Sequence, residues 1–131
     1  GELCAELIAA IGAAARWNCG IAQQALVRIV RQGQFDPNAR LLAVRALAES
    51  LPFIALAKTY DDDIILPTLA ELLIDDDAPV RRAAFEALSK VNPQGFSYDP
   101  EADKSDRRRA AAPWREWAAR ECAFYVKNPK P

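Results

Sequence analysis

Histidine is absent from this chain of 131 residues. Its absence excludes Ser–His and Cys–His nucleophile pairs, zinc sites that need imidazole, and proton relays built on a group titrating near neutrality. Cysteine is scarce: Cys4, Cys19 and Cys122 are too few for a disulfide framework and too dispersed for a metal knuckle. They read as small buried hydrophobes, and scattered free thiols favour a reducing compartment, so a cytoplasmic location is the expectation. Long apolar runs are missing as well. Arg, Glu, Gln or Asp interrupts each one short of a membrane span, which argues against membrane insertion. Neither sign of charge dominates, because 17 Lys+Arg against 18 Asp+Glu leave a net charge of -1. Methionine is also absent and the chain begins at Gly1, so an excised domain of a larger protein, or a processed form, is expected.

What is present is a sequence that is 51% hydrophobic and 27% charged, enough to bury one sizeable core in one domain or a short array of units. The apolar residues recur at helical spacing. Ile65, Leu69, Leu72 and Leu73 stand at i, i+4, i+7 and i+8 and form one stripe. Asp75-Asp76-Asp77-Ala78-Pro79 then interrupts the pattern. Asp77 suits an N-cap and Pro79 is tolerated only in a first turn, so the spacing predicts a second helix from Val80 to about Val91. Its inner face would carry Val80, Ala83, Ala84, Ala87, Leu88 and Val91, and Asn92-Pro93 would end it.

A similar helical hairpin occurs earlier, over about 21–51. Its first helix carries Ala22, Leu26, Ile29 and Val30, and its second opens at Asp36-Pro37 with Ala39, Leu42, Ala43, Ala46 and Leu47 inside. Laying Ala39–Leu47 over Val80–Leu88 matches small with small and large with large, at an offset of 81 − 40 = 41 residues. The opening segment, with Leu7 and Ile8, reads as the second helix of a truncated repeat. A period near forty residues built from helix pairs is the pattern of an α-solenoid.

The stretch from Leu72 to Leu88 resembles the HEAT repeat: two leucines, an Asp-rich turn, Val-Arg, paired alanines and Ala-Leu, in that order. The resemblance covers roughly residues 2–91. It implies an all-α fold, an α-α superhelix of antiparallel helix pairs, and is nearly silent on function; with no catalytic constellation visible, a protein–protein interaction scaffold without enzymatic activity or cofactor is the expectation. It also implies a link between repeats, in which a turn aspartate meets an arginine of the neighbouring repeat. Asp75 with Arg40 fits that arrangement, whereas the earlier turn has Gln34 where the aspartate would stand. HEAT-like folds also include DNA glycosylases and bilin-chromophore lyases, so an enzyme-associated module is the alternative.

Residues 92–131 depart from the repeat. Asn92–Pro100 is a turn-rich connector with two aromatics, and Ser105 or Asp106 can cap a following helix with Trp114, Trp117, Ala118 and Tyr125 on one side. Pro113 should kink or restart that helix. The block is similar to C-terminal segments of some bacterial HEAT-repeat proteins. Physically, an end repeat needs its apolar flank covered, and capping is the expected role.

Three groups of residues look functional. Asp61-Asp62-Asp63 and Asp75-Asp76-Asp77 have neither the glycine nor the ligand spacing of a calcium loop, so they read as helix-start residues and no metal is expected. Arg107-Arg108-Arg109 is the one basic run, and the acidic middle of the chain argues against a nucleic-acid partner. Finally, if Val80, Ala84, Ala87 and Val91 centre the buried stripe, a turn of about 100° per residue sends Arg82, Phe85 and Glu86 to the opposite side. Leu41, Val44 and Arg45 are their counterparts one repeat earlier. These six are the candidate partner-binding residues. The competing expectation is that the connector folds back over Phe85 and merely extends the core.

Overall fold

The computed structural model describes residues 5–16, 20–31, 36–57 and 62–127, apart from the side chains of residues 15, 16, 20, 50–57, 62–64 and 122–127. Expectations resting on Leu3, Cys4, Trp17, Cys19, Asp61, the turn at 32–35, or the side chains of Asp62, Asp63, Cys122 and Tyr125 lie outside the described residues. The described residues are helical, without strands, in six α-helices and one 3₁₀ turn: α1 (Ala5–Arg16), α2 (Gly20–Arg31), α3 (Pro37–Ala57), α4 (Asp62–Glu71), the 3₁₀ turn (Leu72–Ile74), α5 (Ala78–Val91) and α6 (Lys104–Lys127). The all-α class expected from periodicity is therefore observed.

The boundaries follow from local chemistry. Pro37 and Pro79 fall in the first turn of α3 and α5, where a missing N–H leaves no helical bond unmade. Asn92 closes α5 by donating its backbone N–H to the Leu88 carbonyl at 2.9 Å, and Pro93 prevents another turn. Two expectations need correction. α3 continues to Ala57, beyond the expected end near Leu51, and of the kink or restart expected at Pro113 the restart does not occur, since α6 is one helix through it. α6 also begins earlier than expected. Its N-cap is Asp103, whose Oδ1 accepts the Asp106 backbone N–H at 2.8 Å, so Ser105 and Asp106 are helical residues.

Packing arranges the helices in two rows. α1 packs on α3 and α3 on α5, whereas α2 packs on α4 and α4 on α6. The hairpins α2–α3 and α4–α5 tie one row to the other. Ile65, Leu69, Leu72 and Leu73 are all buried, as their spacing predicts, together with Leu26, Val30, Ala43, Leu47, Val80, Ala84 and Leu88. Each large aliphatic side chain so buried contributes on the order of 1.5–3 kcal/mol. The predicted stripes are wrong at their margins: Leu42 is 37% and Val91 42% exposed.

Residues 92–118 complete the core. Ala111, Trp114 and Ala118 of α6 are buried, and α6 lies on α4 and the 3₁₀ turn. Five aromatics join there: Phe85 stands 5.1 Å from Tyr98 and 5.9 Å from Trp114, and Trp114 meets Phe96 and Trp117 edge to face at 5.5 and 5.7 Å. The connector crosses so close that a Cβ on Gly95 would sit 2.3 Å from the Trp114 ring, which explains glycine there. Both buried polar aromatic groups are satisfied. Trp114 Nε1 donates to the Phe96 carbonyl at 3.0 Å, and the Tyr98 hydroxyl donates to the Leu73 carbonyl.

Candidate functional site

Two polar constellations hold the helices in register, and a trench opens beside them. The first centres on Asp75, in the turn before α5. Its carboxylate accepts both terminal nitrogens of Arg40, from α3, at 2.6 and 3.2 Å, while Arg40 also donates to the Val30 carbonyl at the end of α2 at 2.9 Å. Asp75 Oδ2 further accepts the Asp77 backbone N–H at 3.0 Å. The aspartate–arginine link that the family resemblance implied for Asp75 and Arg40 is thus made, bidentate and largely shielded from water.

Asp77 occupies the N-cap position with extended backbone, but its carboxylate makes no capping bond. Asp75 organises the turn in its place. Sequence reasoning missed that exchange, although an aspartate two residues ahead of an N-cap carries the signal, because Asx side chains bond the backbone two residues on.

Arg81 is the counterpart of Arg40 and is itself buried. It donates to the Asp75 carbonyl at 2.8 Å and, from Nε, to the Pro100 carbonyl of the connector at 3.0 Å. A carbonyl of the connector therefore meets Arg81 where a carboxylate meets Arg40. Beside it, Arg82 pairs with Glu101. Around these turns Asp75 is committed to Arg40 and Glu101 to Arg82, and among the described residues no group of three or more acidic or thiol side chains could hold a metal ion.

The trench, about 570 Å³, runs between α3 and α5. Ala48, Ala83, Ala87 and Pro79 line it at close quarters, and Arg45, Glu49, Arg82, Glu86 and Lys90 form its charged margin. A neighbouring depression on the other side of α5 is lined by Phe85, Ser89 and Pro100, with Arg82, Glu86 and Lys90 shared between the two. The exposed ridge of α5, Arg82-Glu86-Lys90 at i, i+4 and i+8, thus stands between two recesses. Glu86 and Lys90 pair across one turn at 3.6 Å.

Of the six residues singled out by sequence, Arg45, Arg82 and Glu86 are exposed and meet at this trench. Val44 does not belong there: it is fully buried, a correction to the outward orientation expected for it. At about 100° per residue, Ala46, Ala39, Ala43, Leu47 and Val44 span an arc of roughly 160°. α3 has α1 on one side and α5 on the other, with α2 and α4 beneath, so it buries far more than one narrow stripe. Leu41 is half-buried and does not line the trench. Phe85 is half-buried under Tyr98 and Trp114, so the connector does fold over it and only its margin faces the second depression.

Tyr98 is a buried titratable group in this cluster. Burial pushes its pKa above the ordinary tyrosine value, opposed by the positive charges of Arg81 and Arg107. No described helix is long and apolar enough to cross a membrane. No family model, curated protein or solved structure matches the chain.

Proposed function

We propose that this chain is a HEAT-like α-solenoid segment that binds a protein partner through the α3–α5 trench and performs no chemistry itself. The observation that carries the reading is the convergence of Arg45 on one helix pair with Arg82 and Glu86 on the next, around an apolar strip of small side chains. Small residues within a charged margin let another backbone approach closely while the rim fixes its orientation. The two rows of helices and the 41-residue offset are what a superhelix of repeated hairpins requires. Asp75 is held by Arg40 and Trp114 is enclosed in the aromatic cluster, so neither side chain is free to meet a ligand.

The test is a pull-down from native extract with the full chain and with a charge-reversed rim, Arg45→Glu with Arg82→Glu. A partner retained by the first and lost from the second, with helicity and melting temperature unchanged, supports the reading. Equal retention by both rejects the trench as the binding surface.

A further inference from the structure

The basic run at the start of α6 separates into three different environments. Arg107 turns inward, half-buried, and donates to the Ala102 carbonyl at 2.8 Å. Arg109 pairs with Asp106 one turn back. Arg108 is exposed, and its side chain makes no hydrogen bond or ion pair with any described residue. The same holds for Lys104 and Arg115. At about 100° per residue, Lys104, Arg108, Ala112, Arg115 and Ala119 occupy one arc of roughly 80°. All five are exposed.

This arc has no acid of its own. Positions three and four residues away from Lys104, Arg108 and Arg115 along α6 hold Arg, Ala or Ser, or the other member of the Lys104–Arg108 pair. Elsewhere the chain does supply such acids: Asp106 for Arg109, Glu86 for Lys90 and Glu116 for Arg120. Lys104 and Arg108 form a like-charged i, i+4 pair in the opening turns of a helix, where the backbone dipole already disfavours cations. Two local rules are broken on one face, with no internal compensation.

We propose that this arc of α6 is a docking surface for an acidic amphipathic helix of a protein partner, separate from the α3–α5 trench. The cations lie about 6 and 10.5 Å apart along the axis, a spacing that a second helix reproduces with carboxylates at i, i+4 and i+11. Ala112 and Ala119 leave room for that helix to approach to about 8–10 Å between axes. A nucleic-acid strand would find only three cations here. It would also pass Asp103, Asp106 and Glu116 on the same helix, which a partner helix placing its acids locally avoids. A second copy of the chain meeting this arc with its own would set cation against cation.

The experiment uses the full chain and three labelled probes at low salt, read by fluorescence anisotropy. They are an Ala-rich helical peptide with Glu at i, i+4 and i+11, the same composition with its Glu residues distributed around the helix, and a twenty-nucleotide oligothymidylate. The expected result is that the spaced peptide binds about tenfold more tightly than the scrambled one and than the oligonucleotide. Arg108→Glu with Arg115→Glu should remove that preference, while Arg120→Glu, on another face, leaves it. Arg108→Gln with Arg115→Gln serves if charge reversal disturbs the fold. Equal binding of both peptides, tighter binding of the oligonucleotide, or insensitivity to the double substitution would overturn the proposal. So would dimerisation of the free chain that the double substitution abolishes.

Discussion

At the scale of the residue, Asp75 does more than its neighbours in the same acidic run. It joins α2, α3 and its own turn through Arg40 and the Asp77 amide, so Asp75→Ala is expected to lower stability by about 2–4 kcal/mol, because Arg40 loses its charge partner in a shielded site. Asp77→Ala should cost less than about 0.5 kcal/mol, since its carboxylate caps nothing. Urea unfolding of the two variants checks the contrast. Phe85→Ala should cost about 2–4 kcal/mol in the same assay, the loss of a half-buried ring from the cluster with Tyr98 and Trp114. Tyr98 adds a pH dependence. Its folded-state pKa is raised, so the folded protein holds the proton more tightly than the unfolded chain does. That contribution is complete below the unfolded value of about 10 and is lost as pH rises through the folded value. Melting temperatures should fall above about pH 10, and Tyr98→Phe should lessen the fall while lowering stability at neutral pH through the lost bond to Leu73.

At the scale of the element, the helices were legible and their surroundings were not. The stripe Ile65, Leu69, Leu72 and Leu73 is inside as read, and Arg40 meets Asp75 as the resemblance to the HEAT repeat implied. A helical wheel divides a helix into one inner and one outer side. That division fails for α3, which is flanked on both sides within its row, and Val44 is buried for that reason. Phe85, at the matching place on α5, has the connector in place of another helix pair. The connector's own contacts were the least legible. Arg81 to the Pro100 carbonyl, Tyr98 to the Leu73 carbonyl and Gly95 beneath Trp114 each join positions whose proximity no local pattern encodes. The two tryptophans signalled only that something had to be covered. Of the trench, sequence identified Arg45, Arg82 and Glu86 but not the small residues Ala48, Ala83 and Ala87 between them.

At the scale of the whole molecule, residues 92–127 belong to the same folded unit as the hairpins. Deleting everything after Gln94 removes buried Trp114, Ala111 and Ala118 and uncovers the flank of α4 and the 3₁₀ turn. The truncated chain should aggregate or unfold without cooperativity, as terminal units of helical arrays do when their outer face is apolar. Light scattering and urea titration followed by circular dichroism check this. A soluble and equally cooperative truncation would make α6 a detachable element. With that end closed, the proposed binding surface for a protein partner is the trench beside Arg45 and Glu86. The most direct measurement is site-specific photo-crosslinking in native extract, with a photoreactive amino acid at position 45, at position 86, or at the exposed Gln24 on α2. The same protein adduct at 45 and 86, and none at 24, is the predicted result. Adducts at all three positions, or at 24 alone, would contradict a binding surface between α3 and α5.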